Sequence, residues 1–248
     1  MIWLLVLCAL VTHTIKIFRF YFFLIDKKIS FRKFVAIYAA TSALNIIIPF
    51  KLGELFRLAA IGLFIKCFRT TLLAIFTERF FDSIIVLCIL IAAFFKYQFQ
   101  YPIMVFVLAL LVVGLYTAYK IAFPITSNLQ LYIMLKKNSR YDKKVLQILD
   151  SIGRLHSIEV NILKTNGHLI FILTLAAWFF DILAMSIALL ETNINVGLYS
   201  ISMFLYELTS FNRVNLFSLY VIVNLSVLTV IFLGANLILR KQKKRDFK

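Results

Sequence analysis

The segment Asn45-Ile-Ile-Ile-Pro49-Phe-Lys-Leu-Gly53-Glu-Leu-Phe-Arg57 interrupts a long apolar region with a proline, a glycine and three charged side chains. Pro49 has no backbone N–H and disfavours helix at the residue before it, so a helix that enters this segment must end there. The apolar runs on either side, 34–49 and 52–65, are each shorter than the about 20 residues that one membrane crossing requires. We therefore expect a re-entrant helical hairpin, which enters and leaves the membrane by the same face.

The composition predicts that this hairpin belongs to an integral membrane protein. The 248 residues are 62% apolar and 15% charged, whereas soluble domains carry roughly 45–50% apolar and about 25% charged residues. Stretches long enough to cross a bilayer lie at 1–24, 71–95, 102–119, 168–190 and 214–239. The predicted fold class is an all-α, polytopic integral membrane helix bundle of about five spans plus the re-entrant hairpin, in one domain over 1–248.

The distribution of positive charge predicts the orientation of the chain. The net charge is +16, and 20 of the 27 Lys and Arg residues fall into the segments 25–33, 66–69, 120–167 and 240–248. Because cytoplasmic loops are enriched in Lys and Arg, we expect all four segments in the cytoplasm, with the N-terminus outside and the C-terminus inside. All four basic segments lie on one side of the membrane only if the chain over 33–66 enters and leaves by the same face. The alternative is one long tilted span plus a surface helix, which puts 66–69 on the outer side.

The segment 120–167 is predicted to be a cytoplasmic loop that contains an amphipathic helix over 141–155. Its apolar residues Val145, Ile148, Leu149, Ile152 and Leu155 follow helical spacing. We expect this helix to lie on the membrane surface, with partner binding as the alternative. The tail 240–248 is strongly basic and is expected to face anionic headgroups.

Polar side chains at membrane depth are the candidate site residues, because one charge near the bilayer centre costs at least roughly 2.5–3.5 kcal/mol. Glu78 and Asp82 lie four apart on one helical face, so a base such as Arg19, Arg57 or Arg79 is needed between them. Ion pairs that only hold the bundle together are the alternative interpretation. The candidates are Arg19, Asn45, Pro49, Lys51, Gly53, Glu54, Arg57, Glu78, Arg79, Asp82 and Asp181.

The break at 49–53 has the features of an anion site. A half-helix that begins near Gly53 points free N–H groups and the positive end of its dipole into the membrane interior. Lys51 adds a full charge beside it, and Asn45 can add a donor. This combination suits a phosphate. We expect the partner to be a membrane lipid, with an anionic headgroup that enters from the side.

Two motifs resemble the signature of the lysylphosphatidylglycerol synthase transmembrane-region family, which are flippase-like integral membrane proteins. That family shows an Asn, a Pro shortly after it, then Gly-Glu and an Arg three residues beyond the Glu, as in 45–57 here. It continues with Glu-Arg-x-x-Asp, matched by Glu78-Arg79-Phe-Phe-Asp82. The regions of Arg19 and Trp178 are also similar, so the resemblance covers most of residues 10–190.

The resemblance implies a role in moving lipids between leaflets. In one branch the cargo is an aminoacylated phosphatidylglycerol made by a fused soluble synthase domain, and other branches accompany genes for envelope glycolipids or polysaccharides. Relative to this pattern we expect a missing helix before residue 1 and no fused synthase domain. The Pro/Gly-rich motif of the C-terminal region is also missing, since 196–213 contain only Gly197, with Glu207 and Arg213 as remnants.

The sequence thus predicts a multi-pass, flippase-like protein of the plasma (inner) membrane that translocates or binds a phosphate-bearing lipid or lipid-linked envelope precursor. The alternative is a non-catalytic accessory subunit of a cell-envelope glycosyltransferase or synthase, and a homo-oligomer is a further possible partner arrangement. No HExxH, Walker A or GxSxG motif occurs, so we expect no enzyme activity, cofactor or metal. A membrane-bound transferase with Glu78 or Asp82 as base ranks last. No nucleic-acid partner is expected, because the basic residues lie between apolar runs.

Overall fold

The computed structural model describes residues 2–27, 29–47, 52–97, 102–135, 140–191 and 218–246. These residues form seven α-helices and one short 3-10 helix, without a strand among them, which confirms the all-α class. The helices are α1 (Ile2–Phe22), α2 (Phe31–Ile47), α3 (Leu52–Ile65), α4 (Phe68–Tyr97), α5 (Pro102–Leu135), α6 (Arg140–Glu191) and α7 (Ser218–Asp246), and the 3-10 helix is Ile25–Lys27.

The five predicted spans each coincide with the body of a helix, apart from residues 1 and 214–217, which lie outside the described residues. Three helical stretches are long and apolar enough to cross a membrane, namely Ile2–Phe22, Lys144–Leu190 and Leu219–Arg240. At 1.5 Å per residue, α4 and α5 extend about 45 and 51 Å, which also exceeds a hydrocarbon slab about 30 Å thick.

The helices α2 and α3 form a helical hairpin, as expected from the sequence. The Phe31 ring, at the start of α2, lies 5.4 Å from that of Phe18, near the end of α1. At the other end, the Cys67 N–H just before α4 donates to the Gly62 carbonyl of α3 at 3.1 Å. Phe34, Ile61 and Ala74 share one core cluster, so the start of α2, the end of α3 and the start of α4 lie together. Pro49 and Lys51 lie outside the described residues.

Gly53 sets the close approach of the two hairpin helices. A Cβ at this position would lie 2.3 Å from the Cα of Asn45, far inside any real contact. The absent side chain therefore lets the start of α3 lie directly against the end of α2. This contact explains why a glycine, rather than any small residue, precedes Glu54.

Packing around the hairpin brings several helix ends to one end of the bundle. Helices α1 and α6 are antiparallel, because Leu5 packs near Ala188 whereas Phe20 packs near Ile170. Helix α7 runs parallel to α1, since its early residue Val223 also packs beside Leu5. The ends of α1, α3 and α7 and the starts of α2 and α4 therefore share one end, and three of the basic segments meet there.

Within the segment 120–167, which is predicted to be a cytoplasmic loop with an amphipathic helix, the described residues are helical. Helix α5 continues to Leu135, and 141–155 is the first part of α6 rather than a separate surface helix. Single glycines are tolerated inside a helix, so neither Gly153 nor Gly167 ends α6, and Pro124 is likewise accommodated inside α5. The helical spacing over 145–155 correctly predicted a helix. The change from charged to apolar composition near residue 168 does not end that helix.

Candidate functional site

Arg19 is the base that separates the two carboxylates of α4. Its Nη2 donates to Glu78 Oε1 at 2.5 Å and its Nη1 to Asp82 Oδ1 at 2.8 Å. Nη1 also donates to the Thr174 hydroxyl of α6 at 3.0 Å. The Arg19 side chain is 1% exposed, so this guanidinium joins α1, α4 and α6 inside the bundle. Pairing offsets the like-charge repulsion that the spacing of the two acids implies.

Arg57 joins the hairpin to the same acid. Its Nη1 donates to Glu78 Oε2 at 3.1 Å and its Nη2 to the Ser42 hydroxyl at 2.9 Å. The Arg57 guanidinium carbon also lies 4.7 Å from the centroid of the Tyr38 ring, which is within cation–π range. Glu78 thus binds two arginines, one through each carboxylate oxygen.

Glu54, Arg79 and Asp82 form the accessible edge of the network. Arg79 Nε lies 2.7 Å from Glu54 Oε1, and Arg79 Nη1 lies 3.7 Å from Asp82 Oδ2. Their side chains are 19%, 38% and 15% exposed, whereas those of Arg19, Glu78 and Arg57 are at most 4% exposed. The network therefore has a closed core, formed by Arg19, Arg57 and Glu78, and an open edge, formed by Glu54, Arg79 and Asp82.

Asp82 is also held from α6. Trp178 Nε1 donates to Asp82 Oδ1 at 3.1 Å, the same oxygen that accepts from Arg19. The indole thus restrains the carboxylate that borders the open edge.

Asp181 belongs to a second polar cluster, between α1, α6 and α7. Lys16 Nζ donates to its Oδ2 at 2.5 Å, and the Tyr220 hydroxyl donates to its Oδ1 at 3.0 Å. Next to this pair, His13 Nε2 lies 2.8 Å from Asn224 Oδ1, and Asn224 Nδ2 donates to the Tyr220 carbonyl at 2.8 Å.

The second cluster contains several residues that the sequence analysis did not assign to a site. Lys16 was visible as a charge inside the first span, one turn before Arg19. Tyr220 and Asn224 stand alone in an apolar run, so nothing local revealed their partners.

The two clusters together are electrically balanced. The four bases Lys16, Arg19, Arg57 and Arg79 face the four acids Glu54, Glu78, Asp82 and Asp181. No charge in this set lacks a partner, which is the usual condition for charged groups at membrane depth. The described residues also include no group of three His, Cys, Asp or Glu that could hold a metal ion.

Asn45 occupies the hairpin contact rather than the ionic network. Its Oδ1 is buried, and no donor reaches it within the part of the chain that the structure describes. It lies beside Gly53 at the start of α3. The predicted roles of Pro49 and Lys51 fall on undescribed residues.

An apolar cleft lies between α4, α5 and α6, on the side of α4 away from the carboxylates. Its volume is about 180 Å³. The residues that line it are Phe76, Thr77, Phe80, Phe81, Leu115, Tyr116 and Leu163.

The fold and the network define an all-α integral membrane protein with a helical hairpin and a central buried ion-pair network. The family model described as "Lysylphosphatidylglycerol synthase TM region" matches residues 1–211, so the chain belongs to this family. Membership associates it with lipid and cell-envelope biology. Neither a search of curated proteins nor a search of solved structures found a match.

Proposed function

We propose that the protein binds a phosphate-bearing lipid, or a lipid-linked envelope precursor, at the hairpin and moves it between leaflets. The observation that supports this most is the depth of the open edge. Arg79 and Asp82 lie 11 and 14 residues beyond the first residue of α4, or about 17 and 21 Å along its axis. With the start of α4 placed at one face of a hydrocarbon slab about 30 Å thick, both side chains lie near its middle. Accessible charge at that depth suits a headgroup in transit.

The chemistry of the open edge suits a phosphate. Arg79 is the most exposed arginine of the network, and it is held between Glu54 and Asp82. A guanidinium binds phosphate through parallel N–H donors, so a headgroup can replace one of these carboxylates as its partner. The free N–H groups at the start of α3, and Lys51 before them, are the expected additional donors. The closed core keeps α1, α3 and α4 in place during this exchange.

Leaflet exchange in reconstituted vesicles tests the proposal. Arg79→Gln and Glu54→Gln should slow the exchange of a fluorescent anionic phospholipid at least tenfold, because they alter the open edge without emptying the closed core. The matched control is Arg154→Gln, which breaks an exposed ion pair with Asp150 on α6. If the two site variants are folded and inserted and exchange lipid as fast as the parent, the site assignment is wrong.

We further propose the plasma membrane as the location, with the N-terminus outside and the C-terminus cytoplasmic. The support is the excess of Lys and Arg in the segments after α1, after α3 and at the end of α7. These segments lie at one end of the bundle, so one orientation satisfies the charge rule for all of them.

An accessory subunit of a cell-envelope glycosyltransferase or synthase is the second candidate. The observation that favours it is the exposed apolar surface on the extensions of α5 and α6, where Leu131, Met134 and Ile148 are 60%, 68% and 60% exposed. Co-purification discriminates between the two functions. A stoichiometric partner that is lost in Ile148→Glu/Ile152→Glu but kept in Gln147→Glu favours the subunit, whereas a monomer or homodimer contradicts it.

A further inference from the structure

We infer that the apolar cleft between α4, α5 and α6 binds one acyl chain of an anionic phospholipid, and that Lys120 binds the phosphate of that lipid. The site is separate from the open edge, because the cleft lies on the opposite side of α4. The inference therefore goes beyond the proposed function: it concerns a second lipid, which stays bound at the outside of the bundle.

The lining of the cleft suits a hydrocarbon chain. Four of the seven described residues that line it are phenylalanine or tyrosine, and two are leucine. The seventh, Thr77, donates its hydroxyl to the Leu73 carbonyl at 2.8 Å. The volume of about 180 Å³ exceeds that of an apolar cavity of about 150 Å³ that holds one benzene molecule. The cleft is therefore large enough for a segment of acyl chain and offers a polar ligand little to bond.

The cleft opens at the surface of the bundle. Phe76 on α4 is 38% exposed and Tyr116 on α5 is 52% exposed, although both rings line the cleft. An acyl chain can therefore enter from the side, between α4 and α5, without passing through the ion-pair network.

The direction of α5 places Lys120 toward the headgroups of one leaflet. Val105 of α5 packs in the cluster of Leu90 of α4, whereas Tyr116 shares the cleft with Phe76, so the two helices are antiparallel. Lys120, one turn beyond Tyr116, is therefore nearer than the cleft to the start of α4. Phe76 lies 8 residues beyond that start, or about 12 Å along the axis. A long lysine side chain can extend from this depth to the headgroups, while the cleft stays in the hydrocarbon.

Lys120 is linked to the cleft by a direct contact. Its Nζ lies 5.8 Å from the centroid of the Tyr116 ring, which is within cation–π range. Lys120 is exposed, and an ammonium has three N–H donors. The ring thus holds a positive charge beside the cleft, with donors that can bind a phosphate oxygen.

The other charges near the cleft favour an anionic lipid over a neutral one. On α6, Lys164 and Glu159 lie within about one turn of Leu163 in the sequence, so with Lys120 the two helices carry two bases and one acid there. The acids of α4 bond to Arg19 on the opposite side of that helix. An apolar cleft beside a net positive charge matches one acyl chain with an anionic headgroup.

Photolabelling tests the inference. The probe is phosphatidylglycerol with a diazirine on one acyl chain, added in trace amount to the full-length protein in phosphatidylcholine vesicles. Peptide mapping should place the label on residues 76–81 and 115–116. Excess unlabelled phosphatidylglycerol should remove the label, whereas the same amount of additional phosphatidylcholine should not.

Variants separate the phosphate contact from the chain contact. Lys120→Gln should weaken the competition by phosphatidylglycerol about fivefold, which is the contribution of one basic residue beside an anionic lipid. Lys144→Gln, which removes an exposed base farther along α6, should behave as the parent. Leu163→Phe should abolish the label because the larger side chain fills the cleft. Its control is Leu110→Phe on α5, outside the cleft and 62% exposed. Arg79→Gln, at the open edge, should keep the label.

Each alternative outcome overturns a defined statement. Label that is spread evenly over the lipid-facing helices, or unchanged in Leu163→Phe, shows that the cleft is not a binding site. Equal competition by phosphatidylcholine, or no effect of Lys120→Gln, overturns the assignment of the phosphate to Lys120. Loss of the label in Arg79→Gln overturns the separation from the open edge. A labelled cleft in a protein that exchanges no lipid contradicts the proposed function and leaves this inference standing.

Discussion

Glu78 accepts hydrogen bonds from Arg19 and Arg57, and all three side chains are at most 4% exposed. Removal of one member of a buried ion pair leaves its partners charged and without compensation, which typically costs about 3–5 kcal/mol. We therefore expect Glu78→Gln to lower the free energy of unfolding by about that amount. Denaturant unfolding in detergent, followed by tryptophan fluorescence, measures the change.

The control for this prediction is Asp150→Asn. Asp150 pairs with Arg154 on the surface of α6, where both side chains are more than half exposed. Exposed pairs contribute about 0–1 kcal/mol, so this variant should unfold almost as the parent does. Equal destabilisation by the two variants would show that the network around Glu78 does not hold the bundle together.

For individual side chains, the sequence was informative about charge and gave no signal about hydroxyl groups. Arg19, Glu78 and Asp82 could be grouped because charges are rare in apolar runs and the spacing of the two acids demanded a base. Ser42 and Thr174 gave no signal, because a hydroxyl in a helix usually bonds to a carbonyl of its own preceding turn. Thr174 does this with Ile170 and accepts from Arg19 as well.

The hairpin is the element whose geometry depends most on one residue. In Gly53→Ala the new Cβ would lie 2.3 Å from the Cα of Asn45, so α2 and α3 must separate. Overpacking of this kind costs about 1–3 kcal/mol, and we expect a comparable loss of stability together with slower lipid exchange. Unfolding and exchange measured on the same preparation test both effects.

Gly153→Ala on α6 is the matched control for the hairpin variant. A Cβ at Gly153 meets no atom within 4 Å, and alanine is favoured over glycine inside a helix by about 0.5–1 kcal/mol. This variant should be as stable as the parent or slightly more so. A Gly53→Ala protein with the same behaviour would contradict the close approach of α2 and α3.

Helix α3 ends at a non-glycine residue in the left-handed conformation. Lys66 has φ 56°, and the Lys66 and Cys67 N–H groups bond to the carbonyls of Leu63 and Gly62. This is a Schellman motif with a non-glycine residue in the left-handed position, which costs roughly 1–2 kcal/mol. Lys66→Gly should therefore raise stability by about 1 kcal/mol in detergent unfolding. Lys66→Ala removes the same charge but keeps a non-glycine residue in the left-handed conformation. An equal increase in the free energy of unfolding from alanine would therefore contradict this explanation.

Among the elements, the sequence predicted breaks better than it predicted continuity. The hairpin could be deduced from Pro49, the short flanking runs and the charge after Ile65. The continuous helix α6 could not, because its charged first part and apolar second part read as a loop and a span. Helical hydrogen bonding continues through Gly167 regardless of that change in polarity, and no proline stops it.

For the molecule as a whole, the hairpin decides how the basic segments are distributed. Because α2 and α3 turn back, Lys33 and Arg69 lie at the same end as the end of α7, whereas Ile2 lies at the other end. A single crossing over 34–65 would instead separate Lys33 from Arg69 by the thickness of the bilayer. The predicted orientation, which follows from the enrichment of Lys and Arg in cytoplasmic segments, thus requires Lys33 and Arg69 to lie on the same side of the membrane. This arrangement can be measured directly.

Single-cysteine labelling measures this topology. In a background without Cys8, Cys67 and Cys88, we expect Lys33→Cys and Arg69→Cys to react with a membrane-impermeant maleimide only after the cells are permeabilised. Ile2→Cys, at the opposite end of the bundle, should react on intact cells. Reversed accessibility at all three positions would invert the proposed orientation and leave the hairpin intact. If Arg69→Cys reacts on intact cells as Ile2→Cys does, and Lys33→Cys does not, then residues 34–65 cross the membrane. The proposed headgroup site would then lose the element that forms it.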